Sequence, residues 1–147
     1  MAKRLAKELL LVTQKEPIPG ITVTQEGDRT DKWNVTFQGP EGTPYQGAII
    51  RAHIDFPEQY PHKEPVIAFN PILLHVNVQP EDGQPCLEDL INWSPTNKMV
   101  NVLKNLYDLI KSPNASHARN MDLAEKMENN KTQYNKEISD WVQRYGH

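Results

Sequence analysis

The chain has 147 residues, a net charge of −3, one cysteine and twelve prolines, a length that suits one domain (1–147) able to bury a real core without covalent staples. The lone cysteine excludes an internal disulfide and any multi-cysteine zinc site, and the balance of 37% hydrophobic and 24% charged residues excludes a disordered chain. No apolar run approaches the roughly 20 residues of a membrane span, and mild acidity with both signs interspersed speaks against nucleic acid or a membrane surface as partner.

The start, Met1 to Val12, is too short and too interrupted by charge for a secretory signal. The expected setting is the cytosol, the nucleus or both, where a single thiol stays reduced. Leu5, Leu9 and Val12 recur at helical spacing, with Ala6 and Leu10 widening the stripe, so a helix is expected up to Pro17. Period-two alternation then marks strands: Ile21 and Val23; Trp33, Val35 and Phe37; Ile50, Ala52, Ile54 and Phe56. A shorter apolar run from Val66 to Phe69 makes a fourth. Polar turns separate these runs and no helical pattern intervenes, which implies an antiparallel meander with one face on the core.

From Asn70 to Lys98 neither periodicity holds. A stretch this long without structure of its own is usually functional or disordered, and Ile72, Leu73, Leu74, Leu87, Leu90, Ile91 and Trp93 call for burial, so an ordered functional loop is expected. Met99, Val102, Leu103, Leu106, Leu109 and Ile110 then define a strongly amphipathic helix that Ser112-Pro113 ends. A weaker helix covers Met121 to Asn129. The last carries Tyr134, Ile138, Trp141 and Tyr145 on one face, with Asn130 and Gln133 spaced as a capping box. The fold class is therefore α+β: an N-terminal helix, a four-stranded antiparallel meander, a long loop and C-terminal helices.

Cys86 sits in the long loop. Buried inert cysteines are common, and a reactive one needs a suitable electrostatic setting. A hydrolytic thiol wants a cation, a protonated histidine or a helix N-terminus beside it. Glu81, Asp82, Glu88 and Asp89 surround Cys86 in sequence instead, which disfavours a thiolate. His75 and Asn77 lie on the same loop, which does not establish protease geometry. A structural thiol and a non-hydrolytic acceptor thiol both stay open at this point. His53 and His147 lack ligand spacing, so no metal is expected. Trp33, Trp93 and Trp141 read as core anchors.

Several runs have a common likeness: Trp33…Gly39-Pro40…Pro44-Tyr45-Gln46-Gly47, Phe56-Pro57-Glu58-Gln59-Tyr60-Pro61-His62-Lys63-Glu64-Pro65, His75-Val76-Asn77, Gly83-Gln84-Pro85-Cys86-Leu87 and Trp93-Ser94-Pro95. In type and order they resemble the ubiquitin-conjugating enzyme family, from the first helix to the last, as a minimal core domain. The resemblance implies an acyltransferase. Cys86 would accept ubiquitin or a ubiquitin-like modifier from an activating enzyme as a thioester, then pass it to a lysine or a ligase. No cofactor is implied, since ATP is used by the activating enzyme, and a monomer is expected. Thioester exchange is nearly isoenergetic, so a thiol of ordinary pKa, about 8.5, can exchange and still leave well. The acidic surroundings of Cys86 fit that chemistry. Asn77 aligns with the family's asparagine, which would donate to the oxyanion or brace the loop.

The chain departs from the family pattern near the site. Val76 replaces a proline, which removes a fixed φ and implies a less preorganised Asn77. Pro85 precedes the cysteine where an aliphatic residue is usual. His117 stands at the family's gate, often acidic or serine, where it could steer or deprotonate an incoming amine. These departures keep a non-catalytic scaffold as the alternative. For partners, the resemblance points to Lys3, Arg4 and Lys7 on the first helix and to loops at His62 and at Ser94-Pro95-Thr96. Many ligase-binding members carry phenylalanine at the position of His62.

Overall fold

The computed structural model describes residues 2–85 and 93–147. Helix α1 (Ala2–Leu10) continues into a wider π-type turn over Leu11–Lys15, which closes with the Glu16 N–H on the Leu11 carbonyl. Four strands follow: β1 (Ile21–Glu26), β2 (Arg29–Gln38), β3 (Ile49–Asp55) and β4 (Val66–Phe69). Then come α2 (Met99–Lys111), a 3-10 turn (Ala115–His117), α3 (Met121–Asn129) and α4 (Lys131–Tyr145). The sheet has the order β1-β2-β3-β4, each pair antiparallel, as the uninterrupted strand pattern implies.

Register follows from the alternation. Trp33 faces Ile54, Val35 faces Ala52 and Phe37 faces Ile50 across β2 and β3, and all six side chains are buried. A one-residue slip would turn this whole set to solvent. The same face continues through Ile67 and Phe69 of β4. Helix α1 packs on β1 and β2, and Met99, Val102, Leu103, Leu106 and Ile110 of α2 join the same core.

The first helix buries the Leu5–Leu9–Val12 stripe only in part, and leaves the widening residues Ala6 and Leu10 exposed. Leu9 is half-buried and Leu10 is exposed, while Leu5, Glu8 and Val12 are buried. Rotation toward the sheet thus places a carboxylate at an inward position, where it finds partners described below. Two other expectations change. Ile72 is 38% exposed although neighbouring Leu73 is buried, because the chain runs over the surface there with its carbonyl held by the Trp141 indole N–H at 2.9 Å. Tyr145 is 40% exposed at the last residue of α4. Leu87, Leu90 and Ile91 lie outside the described residues.

The caps of α3 and α4 are both asparagine. Asn120 Oδ1 accepts the Leu123 N–H and Asn130 Oδ1 accepts the Gln133 N–H. Only half of the anticipated capping box forms, because the Gln133 amide turns forward to Glu137 at 3.0 Å and the Asn130 N–H closes α3 on Lys126. Asn130 therefore ends one helix and starts the next. Asn130→Ala is expected to cost about 1 kcal/mol, read as a fall of roughly 3 °C in thermal midpoint.

Candidate active site and docking groove

The residues that lead to Cys86 form a small hairpin. Gly83 N–H donates to Gln79 O at 2.8 Å, Gln79 N–H to Gln84 O at 3.0 Å, and Val78 pairs with Pro85. Its turn needs glycine. Gly83 has φ +77°, and a Cβ there would sit 2.4 Å from the Phe69 carbonyl oxygen. The Gly83 carbonyl in turn accepts the Phe69 N–H at 2.8 Å, which fastens the hairpin to the end of β4. Pro85 is buried. Cys86 and the acidic Glu88 and Asp89 lie outside the described residues, whereas Glu81 and Asp82 are exposed on the turn.

On the other arm, His75 is fully buried. Its Nδ1 accepts the Asn77 N–H at 2.9 Å and its Nε2 sits 3.0 Å from the Leu109 carbonyl. Since a carbonyl only accepts, Nε2 carries the proton and the ring is neutral. Burial lowers its pKa from 6.5 to about 4, against a smaller opposing pull from the Leu109 and Ile110 carbonyls. With both nitrogens engaged, His75 is no general base.

The Asn77 side chain spans to the turn after α2. Its Nδ2 donates to the carbonyls of Asn114 (2.8 Å) and His117 (3.1 Å), and its Oδ1 accepts the Asn114 N–H at 2.8 Å. Asn77 is 4% exposed. Val76 is buried completely, and its carbonyl accepts from both Arg119 N (2.8 Å) and Asn120 N (3.0 Å). The loss of proline at Val76 therefore does not leave the turn loose: the backbone and side-chain bonds on either side hold it, contrary to the sequence-based expectation. His117 lies in the 3-10 turn, exposed, with Asn114 capping the turn through the Ser116 N–H at 3.0 Å. Asn77 and His117, far apart in sequence, are thus neighbours.

A second constellation lies at the start of the chain. Lys3, Arg4 and Lys7 line a groove with Leu10, Leu11, Lys15, Pro95, Thr96 and Lys98. Arg4 is not a free cation in it. Its Nη1 and Nη2 donate to the carbonyls of Pro95 (2.6 Å) and Asn97 (2.8 Å), its Nε meets Glu8 at 3.2 Å, and its guanidinium lies over the Tyr60 ring. Glu8 also accepts from the Tyr60 hydroxyl and, at 2.8 Å, from the Met99 N–H. Burial first, then the Glu8 carboxylate, raises the Tyr60 pKa, so the phenol stays a donor. Ser94 and Thr96 share a hydroxyl bond at 2.7 Å. His62 is exposed on the adjoining loop, which the Trp93 indole ties down through Pro61 O at 3.0 Å. Among the described residues no cluster of His, Cys, Asp or Glu could hold a metal ion.

The family model for ubiquitin-conjugating enzyme matches residues 4–142. The chain belongs to the ubiquitin-conjugating enzyme family. It is 31% identical over 143 residues to ubiquitin conjugating enzyme E2 B of Dictyostelium discoideum, covering 97% of this chain and 96% of that protein. It is 33% identical over 131 residues to ubiquitin-conjugating enzyme E2 3 of Arabidopsis thaliana, covering 88% and 87%. Among solved structures, a Plasmodium yoelii protein assigned to the ubiquitin conjugating enzymes superposes with a TM-score of 0.87 at 28% identity, over 98% of this chain and 94% of that one. The activity is that of a conjugating transferase.

In this conjugating enzyme, sequence reasoning missed Glu8 as a lining residue of the groove, Tyr60 as its buried partner and the bracing duty of His75. A signal existed for Glu8: it stands three residues after Leu5 and four before Val12, so a charge falls on the buried stripe. No local signal marked the Asn77–Asn114 pairing, which joins positions 37 residues apart.

His75 sets an acid limit on this enzyme. Its folded pKa is depressed, so the unfolded chain binds the extra proton first as pH falls. The contribution is whole above pH 6.5 and declines as pH falls toward about 4, on the order of 3 kcal/mol in all and about 2 by pH 5. Denaturant titrations at pH 7.5 and 5.0 check this. His75→Gln is expected to be the less stable protein at pH 7.5 and to lose less on acidification than the unaltered chain.

Proposed function

We propose that Cys86 is the acceptor through which this conjugating enzyme works. The thiol attacks the thioester carbonyl of a modifier held by an activating enzyme; a C–S bond to Cys86 forms, the old C–S bond breaks, and the released thiol takes the proton. A lysine amine or a ligase thiol then attacks the Cys86 thioester, the C–S bond breaks, and the nucleophile's proton passes to the departing Cys86 sulfur or to solvent. Ubiquitin is the first modifier to test, given the names of the relatives. The single observation that carries this reading is the Val78–Pro85 bridge, which sets the residue after Asn77 against the residue before the chain's only cysteine, in a family of conjugating enzymes. A reducing compartment, cytosol or nucleus, suits a free acceptor thiol.

Asn77 acts in this scheme as a brace. Both its amide protons and its carbonyl are committed to the Asn114–His117 turn, and a bond to an oxyanion would require giving one up. Through that brace it holds His117 at the gate, where the exposed imidazole meets the incoming amine.

Incubation with activating enzyme, ATP and ubiquitin, followed by reducing and non-reducing gels, tests the acceptor. A thiol-sensitive adduct is expected and should vanish in Cys86→Ala; absence of any adduct, with ubiquitin or any related modifier, overturns the reading. Asn77→Ala is expected to load, but to discharge to free lysine roughly 10²-fold more slowly, the scale of a misplacement of about 1 Å at a reacting centre. Single-turnover discharge after quenching the activating enzyme measures that step.

A further inference from the structure

The cations at the start of α1 divide into two kinds. Lys3, Lys7 and Lys15, with Lys98 across the groove, are exposed, and none forms an ion pair among the described residues. Arg4 has every guanidinium nitrogen engaged inside the molecule, by Glu8, Pro95 O and Asn97 O. Glu8, 7% exposed, joins Arg4 to the Tyr60 hydroxyl and to the first N–H of α2 at Met99. The two walls of the groove are α1 and the segment 95–98, and no backbone ladder links them. The Arg4–Glu8 pair supplies that link.

We propose that Arg4 and Glu8 are positioning residues of the groove: they set the separation of α1 and the 95–98 segment, and so the presentation of Lys3, Lys7, Lys15 and Lys98 to an acidic surface of the activating enzyme, a partner that the family resemblance already places at this helix face. The charge of the groove argues for that partner, since four lysines line it together with Leu10 and Leu11. The inference rests on the transfer activity proposed above, with the activating enzyme as the partner used in the assay.

Two substitutions give opposite answers for a positioning role and a contact role. Arg4→Lys keeps the charge, but a single ammonium cannot reproduce the guanidinium fork that reaches Glu8 and two carbonyls at once. A contact cation would tolerate the change. Glu8→Gln removes a negative charge and releases Arg4, so a contact cation would bind an acidic partner more tightly. A positioning pair would instead let the walls part and weaken docking.

The experiment measures Cys86 loading rates against conjugating-enzyme concentration, at several salt concentrations, with thermal melts confirming that each variant is folded. Arg4→Lys and Glu8→Gln are each expected to raise KM roughly fivefold with kcat within about twofold, the pattern of lost ground-state docking, and with the salt dependence kept. Lys3→Met with Lys7→Met should raise KM and flatten the salt dependence. Should Glu8→Gln not fold, Arg4→Lys alone still separates the two roles. Wild-type KM in Arg4→Lys, or a lowered KM in Glu8→Gln, overturns the inference. A wild-type chain that never loads Cys86 counts against the proposed function instead.

Discussion

Backbone polar groups buried without a ladder must find other partners, and this requirement governs the segment between β4 and α2. The structure meets it with donors from distant parts of the chain. The Trp141 indole holds Ile72 O, the Tyr45 hydroxyl holds Leu74 O at 2.6 Å, and the amides of Arg119 and Asn120 hold Val76 O. Farther on, Arg4 holds Pro95 O and Asn97 O. Burial raises the Tyr45 pKa well above its ordinary value, which keeps that donor protonated. The described parts of the loop are therefore tied down without a ladder, by aromatic side chains, by Arg4 and by the backbone that follows the 114–117 turn.

Two buried polar groups sit at opposite ends of α2 and follow different rules. His75 stays neutral, and its Nε2–H takes the Leu109 carbonyl in the last turn of the helix. Glu8 keeps a hydrogen bond to Met99 N at the first residue of α2, where an acceptor is favoured by the unpaired amides and the helix dipole. Isolated burial of a carboxylate is costly; Arg4 and Tyr60 complete its shell. Ten residues of helix, roughly 15 Å, thus separate the lysine-lined groove from the His75–Asn77 segment. Because α2 lies within the hydrophobic core, both are referred to one rigid element.

Much of the fold was legible because it depends on short-range period. The alternation through Trp33, Val35 and Phe37 specified β2 and its inward face, and the spacing from Met99 to Ile110 specified α2. The site was legible only in its residue types. Asn77 and His117 were singled out, yet their meeting required the turn after α2 to return to the loop. Arg4 was read as a docking cation because it clusters with Lys3 and Lys7 on the helix face to which the family resemblance points, and nothing local shows that two carbonyls 91 and 93 positions away would claim it.

The sequence by itself determined the order of the elements, the antiparallel meander, the family to which the chain is similar and the identity of its one thiol. Those follow from periodicity, turn chemistry and motifs, which are properties of neighbouring residues. Tertiary structure alone decided that Val76 is held without proline, that His75 is neutral, that Asn77 spends its amide on the 114–117 turn and that Glu8 lies inward. Each of these is a pairing across long separations in which burial makes an unsatisfied group too costly to leave, and the partner is chosen by which atoms packing brings within reach.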